Sequence, residues 1–243
     1  VQGNIRRYAS GSWITDDPDG SAADSIVSVQ LAGNDTILVA EGQTVRRYDG
    51  SAWSTFGGPI GFSIATMWAP NSDQAVVVLQ GTDDVYRMTA PNDVAHGTSN
   101  PGGGSADQLR AAWGTSINNF WLVGNNGRVV WYDSTAGYVN EDPGTSSDLD
   151  AVAGTSATDV WVGGTNGYVG HWNGSGWTAC SLPTTETVIS LWISGDGTVY
   201  AGTTFASDTL WNFVCNVRTP TIPNGAGNVR ALQGSSSSSL WPL

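Results

Sequence analysis

The sequence predicts an all-β fold, a six-bladed β-propeller of four-stranded blades, on three observations. Strong helix formers are scarce: there is no Lys and little Glu, against 32 Gly and 12 Trp in 243 residues. One segment recurs along the chain. The two ends complete one another as halves of a further copy.

The recurring segment is clearest from Leu149, LDAVAGTSATDVWVGGTNGYVGHWNGSGW, and from Leu109, LRAAWGTSINNFWLVGNNGRVVWYDSTAGY. Gly154 matches Gly114, Ser156 matches Ser116, Trp161 matches Trp121 and Trp172 matches Tyr132. Further copies begin near Ile26, Ile64 and Ile189, at a spacing of roughly 38 to 45 residues, the length of a propeller blade. Each copy reads as strands alternating with period two between turns. A first strand ends in a Gly- or Ser-rich turn. A second carries Val39, Val76, Trp121, Trp161 or Tyr200, and a third carries Tyr48, Tyr86, Tyr132, Trp172 or Trp211. Asp49-Gly50-Ser51 and Asn173-Gly174-Ser175 then make hairpin turns, because these residues accept positive φ at low cost, and lead to outer-strand Trp53 and Trp177. The copy from Ile64 lacks that outer Trp and ends in a long Gly-rich loop. The last copy stops in its second strand, with Trp241 in register with Trp161. The N-terminus supplies the missing strands, Tyr8 matching Tyr48 and Trp13 matching Trp53. Residues 1–243 are therefore expected to form a single domain, its last blade shared between the termini with two strands from each.

The elements GTSATDVWVGGTNGYVGHWNGSGW resemble the repeat of secreted bacterial β-propellers, in which a D-V-W strand is followed by a W/Y-D/N-G-x-x-W hairpin. The chain is also distantly similar to propeller lectins of the tachylectin and fungal fucose-binding types. That resemblance implies an extracellular or cell-surface protein, and the start at Val1 without a basic n-region or apolar h-region leads to the expectation that any signal peptide has already been removed. Absent Lys, low charge and Gly/Ser/Thr-rich turns point the same way. Propellers host enzymes, lectins and docking platforms alike, so the fold does not choose among them.

The net charge of -12 argues against nucleic acid, whose phosphates need a basic face. No apolar run approaches the roughly 20 residues of a membrane span. Most Trp recur at framework positions, where they lock blades together. Trp68, Trp113 and Trp192 instead lie near the ends of innermost strands and are candidate ligand-binding residues. A second candidate set is the early inner-strand position, Val27, Ala65, Arg110, Asp150, Ser190 and Arg230, which varies between blades. A ligand-reading surface and a solvent-filled channel would both show such variation. Arg110 and Asp150, on adjacent blades, are also placed to form an ion pair, and Arg6-Arg7 and Arg46-Arg47 to pair with nearby Asp. Asp17, Asp19 and Asp24 crowd carboxylates into one loop, the oxygen chemistry that calcium takes, although their spacing is not that of an EF-hand and no cofactor is otherwise implied. Cys180 and Cys215 fall at nearly equivalent outer positions of adjacent blades and form either one disulfide or two buried thiols. His96 and His171 have no Cys or His at metal spacing, and Asn173-Gly174-Ser175 fits the glycosylation acceptor pattern. The expected function is a secreted binding module, not an enzyme, that docks protein partners through the loops of one face. A glycan-binding lectin is the alternative, and a hydrolase or lyase on the same scaffold the third.

Overall fold

The computed structural model describes residues 5–9, 11–18, 25–33, 36–58, 60–90, 97–101, 109–204, 210–214, 217–222, 232–234 and 240–242. They fall into two compact units, Val1–Gly103 and Gly104–Leu243. The first unit opens with a hairpin, β1 (Ile5–Ala9) and β2 (Ser12–Asp16). Two antiparallel sheets follow: β3 (Ile26–Leu31), β4 (Ile37–Glu41), β5 (Thr44–Tyr48) and β6 (Trp53–Gly57), then β7 (Ile64–Asn71), β8 (Gln74–Leu79), β9 (Val85–Thr89) and β10 (Gly97–Thr98). The second unit has three such sheets. They are β11 (Leu109–Ser116), β12 (Asn119–Gly124), β13 (Val129–Asp133) and β14 (Gly137–Glu141); β15 (Leu149–Ser156), β16 (Asp159–Gly164), β17 (Val169–Trp172) and β18 (Trp177–Ala179); and β19 (Val188–Ile193), β20 (Val199–Thr203), β21 (Leu210–Val214) and β22 (Val217–Ile222). A hairpin of β23 (Leu232–Gly234) and β24 (Leu240–Pro242) ends it. The chain is thus all-β, with four-stranded blades in sequence order. No helix among the described residues is long and apolar enough to cross a membrane.

The second strand of each blade is hydrogen-bonded on both sides and covered on both faces. It therefore reads as a continuous apolar run, AVVVL in β8 and FWLV in β12, all fully or nearly fully buried. Alternation survives on the first strand. In β3, Ile26, Ser28 and Gln30 are half-buried, and the Ser28 hydroxyl donates to the Met67 carbonyl of β7 at 3.1 Å. Val27, Val29 and Leu31, on the opposite face, are exposed. Leu38, Phe56, Ile64, Met67 and Val77 form the core between the two sheets of the first unit. In the second unit Trp121, Leu149 and Val162 anchor one cluster, and Trp161, Val188 and Val199 another. Each such side chain contributes about 1.5–3 kcal/mol through the area that it removes from water. Trp121 lies 5.9 Å from Trp131, 5.8 Å from Trp172 and 5.9 Å from Trp177, ring centroid to centroid, so neighbouring blades share one indole cluster.

Strand pairing corrects several positions read from the sequence. Trp113 pairs with Trp121 and Gln30 with Leu38, so the second-strand position of the β3–β6 blade is Leu38 and not Val39. In the third strand Met88 and Phe213 occupy the register of Tyr48, Tyr132 and Trp172, where Tyr86 and Trp211 were expected. The true pairs still meet across the outer hairpin, Tyr48 with Trp53 at 5.3 Å and Trp172 with Trp177 at 5.7 Å. Tyr86 instead faces Gly97, where any Cβ would lie 2.7 Å from the Tyr86 ring, at the outer-strand position that Thr55, Asn140 and Ala179 hold in other blades. Arg7 bonds Asp16 at 2.9 Å and lies 4.7 Å from the Tyr48 ring centre, while Arg47 pairs with Asp73 at 3.2 Å.

The outer hairpins are closed by side-chain oxygens. Asp49 Oδ1 accepts from the Ser51 N–H (2.9 Å), the Ser51 hydroxyl (2.7 Å) and the Ala52 N–H (2.9 Å). The Ala52 N–H first, then Ser51, hold the Asp49 carboxyl down to about 2. A carboxylate lowered on folding stabilises the native state above its unfolded value, near 4, and loses that contribution as pH falls through its folded value. Replacing Asp49 by Asn should therefore lower the melting temperature modestly at neutral pH. The gap from wild type should close as pH falls from about 4 to about 2. A gap constant across that window would mean that the carboxylate has no special stabilisation.

Candidate functional site

Every inner strand of a complete blade is interrupted at the same place. Register shifts fall between Ile26 and Ser28, Ile64 and Thr66, Leu109 and Ala111, Leu149 and Ala151, and Val188 and Ser190. The skipped residues are Val27, Ala65, Arg110, Asp150 and Ile189. A bulge takes one residue out of the ladder and re-aims its side chain. The variable position found in the sequence is thus a bulge, and its member in β19 is Ile189, not Ser190. Ser190 returns to the ladder opposite Gly202 and is buried.

In the second unit two bulges meet. The Arg110 Nη1 donates to Asp150 Oδ1 at 2.5 Å, and Nη2 donates to Asp148 Oδ2 at 3.3 Å. Asp148 is itself held, because its Oδ1 accepts the Asn126 N–H at 3.0 Å from the β12–β13 turn. The guanidinium fork therefore spans two carboxylates, one on the next blade and one on the loop leading into it. Its side chain is 37% exposed, and Asp150 is 18% exposed. A wet pair of this kind contributes about 0–1 kcal/mol, so stability alone does not account for it.

The surrounding loops are rigid for a backbone reason. The β12–β13 turn donates from Gly127 N–H to Ser147 O at 2.8 Å, and Thr165 N–H donates to Asp148 O at 2.9 Å. In the next blade Gly167 N–H donates to Glu186 O at 2.6 Å and Leu182 N–H to Gly167 O at 2.8 Å. In the first unit Ile60 N–H donates to Gln43 O at 3.0 Å and Ile64 N–H to Gly42 O at 2.8 Å. Three blade-connecting loops, β6–β7, β14–β15 and β18–β19, are thus each fastened to a second-to-third-strand turn.

The three candidate tryptophans occupy one register position, opposite Val76, Trp121 and Tyr200. Trp68 is buried. The Trp113 indole lies over Gly154 of the next inner strand, where an added Cβ would come within 2.5 Å of two ring carbons. Trp192 is half-buried, its ring 5.4 Å from that of Tyr200. Arg230, Asp19, Asp24, Cys215 and His96 lie outside the described residues. Asp17 is exposed, and no group of metal-ligating side chains occurs among the described residues. Cys180 is fully buried and disulfide-bonded.

Sequence reasoning missed one polar cluster. His171 Nε2 lies 2.7 Å from Asp159 Oδ1, which also accepts the Trp161 indole N–H at 3.2 Å, while the Thr155 hydroxyl donates to Oδ2. The imidazole stacks on the Trp161 indole at 4.0 Å. Burial pushes the Asp159 carboxyl up, but the bonds from Thr155, His171 and Trp161 outweigh it and hold the group below its usual range. Thr155 and His171 both address the same carboxylate, so the hydroxyl is not set against the imidazole as nucleophile against base. In the preceding blade Asn119 and Trp131 take the places of Asp159 and His171, with Trp131 N–H 3.4 Å from Asn119 Oδ1. That substitution, visible in the repeat alignment, is the signal that marks the cluster as a strand-pinning network.

No family model matches the chain, and no curated protein sequence matches it. Among solved structures it is similar to a chain of the mitotic checkpoint complex, at 15% identity and a TM-score of 0.76, over 100% of this chain and 82% of that one. It is also similar to YCF48 bound to the D1 peptide, at 13% identity and a TM-score of 0.67, covering 84% and 70% of the two chains. The extracellular domain of BT4673 from B. thetaiotaomicron matches at 14% identity and a TM-score of 0.54, over 99% of this chain but only 39% of that one. At such identities likeness speaks for architecture alone, and together with the run of four-stranded antiparallel blades it makes this chain a β-propeller.

Proposed function

We propose that the chain is a six-bladed propeller, its last blade taking two strands from each terminus, that acts outside the cell as a docking module for protein partners. The observation that carries this reading is the set of bulges: five equivalent, re-aimed positions present Val, Ala, Arg, Asp and Ile. A lectin built from repeats would show one pocket recurring between blades, whereas a docking platform presents an asymmetric patch. The tight fastening of the connecting loops favours the same reading, because a preorganised surface loses little entropy on binding. The acidic balance of the chain favours partners with basic surfaces. The disulfide at Cys180 suits an oxidising compartment. Two of the similar structures are, by their descriptions, a protein complex and a protein bound to a peptide.

The test is a peptide array and a glycan array probed in parallel with the wild type and with the Arg110→Ala, Asp150→Ala double variant. The expected result is binding to a subset of basic peptides, reduced about tenfold or more in the variant. Its melting temperature should stay within the small shift that an exposed ion pair allows. Binding to one sugar class and no peptide would transfer the assignment to the lectin.

A further inference from the structure

Three Asn-Gly pairs lie among the described residues: Asn126-Gly127, Asn166-Gly167 and Asn173-Gly174. In such a pair the unhindered glycine nitrogen can add to the asparagine Cγ. A bond forms from the Gly nitrogen to Cγ, the nitrogen gives up its proton, and the bond from Cγ to the side-chain nitrogen breaks to release ammonia. Water then opens the succinimide at either carbonyl, giving aspartate or isoaspartate, with no change of oxidation state. The peptide plane between the two residues must turn until the nitrogen faces Cγ. Whether it can turn depends on the fold.

At the first two pairs it cannot. Asn126 and Asn166 sit at φ 55° and 58°, each followed by a buried glycine. The Gly127 and Gly167 N–H groups donate to Ser147 O and Glu186 O at 2.8 and 2.6 Å. These are the bonds that fasten the connecting loops, so turning either plane would undo a loop. Asn173 and Gly174 are both exposed in the β17–β18 hairpin, and the Gly174 N–H has no hydrogen-bond partner among the described residues. The amide carbonyl of the Asn173 side chain is also polarised. Its Oδ1 accepts from Ser175 N–H (3.0 Å), the Ser175 hydroxyl (2.8 Å) and Gly176 N–H (3.1 Å), donors aimed where negative charge develops as the nitrogen adds.

We infer that Asn173 is a site of spontaneous deamidation in the folded protein, and that Asn126 and Asn166 are protected by the same backbone bonds that hold the blade-connecting loops. The repeat shows that the aspartyl product fits. Asp49 closes the corresponding hairpin of the β3–β6 blade through the same three kinds of donor. The isoaspartyl product is different, since it lengthens the main chain by a methylene inside a turn that sets Trp172 opposite Trp177.

The experiment incubates the folded protein in mildly alkaline buffer, digests it, and maps the peptides by mass spectrometry with chromatographic separation of aspartyl and isoaspartyl forms. Asn173 should convert about tenfold or more faster than Asn126 or Asn166, and the three rates should converge in urea, where only local sequence acts. Conversion of Asn126 or Asn166 at the pace of Asn173 in the folded state would overturn the inference. So would an intact Asn173 under conditions where the unfolded protein converts at all three sites. At neutral pH the N173D variant should melt modestly above the wild type, the reverse of Asp49→Asn; a clear loss of stability would break the equivalence with Asp49.

Discussion

Replacing Gly127 by Ala is expected to lower the unfolding free energy by about 3 kcal/mol, read from denaturant titration of tryptophan fluorescence. Gly127 has φ +72°, and a Cβ built there would lie 1.9 Å from the Thr145 carbonyl oxygen, a backbone atom that no side-chain rotation can remove. The cost has two parts that a control separates. Gly137 also has a positive φ, +77°, but no atom lies within 4 Å of its would-be Cβ. Ala at Gly137 should therefore cost only about 1 kcal/mol, the strain of a left-handed conformation. The difference measures how tightly the loop between β14 and β15 is drawn onto the β12–β13 turn. Equal losses at the two sites would show that the loop stands off.

The second large effect is a coupling. Trp113→Ala should cost about 3 kcal/mol, because it empties the space that the indole fills over Gly154. Gly154→Ala should cost about 2 kcal/mol by pushing a methyl into that same ring. Made together, the two changes should cost about 1 kcal/mol less than their sum. Recovery is partial, since the new Cβ would also lie 2.6 Å from the Asp159 carbonyl oxygen. Strict additivity would mean that Trp113 and Gly154 do not share one packing site.

The blades were legible because their turns and buried aromatics repeat, and repetition exposes both at once. Trp121, Trp161 and Tyr200 announce the second strands, and Asp49-Gly50 and Asn173-Gly174 the outer hairpins. What the pattern could not show is where a ladder skips. Alternation assigns faces on the assumption of unbroken pairing, and Ser190 was exchanged for Ile189 because that copy was read as beginning at Ile189, one residue after the strand's first residue, Val188. In the β7–β10 blade the third-strand register position holds Met88 and no aromatic, so alignment slid to Tyr86, two residues short of it. The Arg110–Asp150 pair was readable because both residues stand at one repeat position on adjacent blades. The second arm of the fork, Asp148, was not, since it comes from a connecting loop with no repeat to locate it. Trp113 looked free in the sequence for a related reason: its partner is Gly154, a residue whose contribution is the absence of a side chain.

The bulges have a consequence for how such a protein can change over generations. A residue inside a ladder is constrained by the neighbours on both faces, so altering it disturbs the fold that carries it. A bulged residue has been released from that ladder, and the five blades here hold five such residues, already occupied by aliphatic, cationic and anionic side chains. Mutation can sample these positions one at a time while the scaffold is inherited unchanged. The repeat thereby separates the part of the sequence that must be conserved to remain a propeller from a short set of addresses at which specificity can be rewritten.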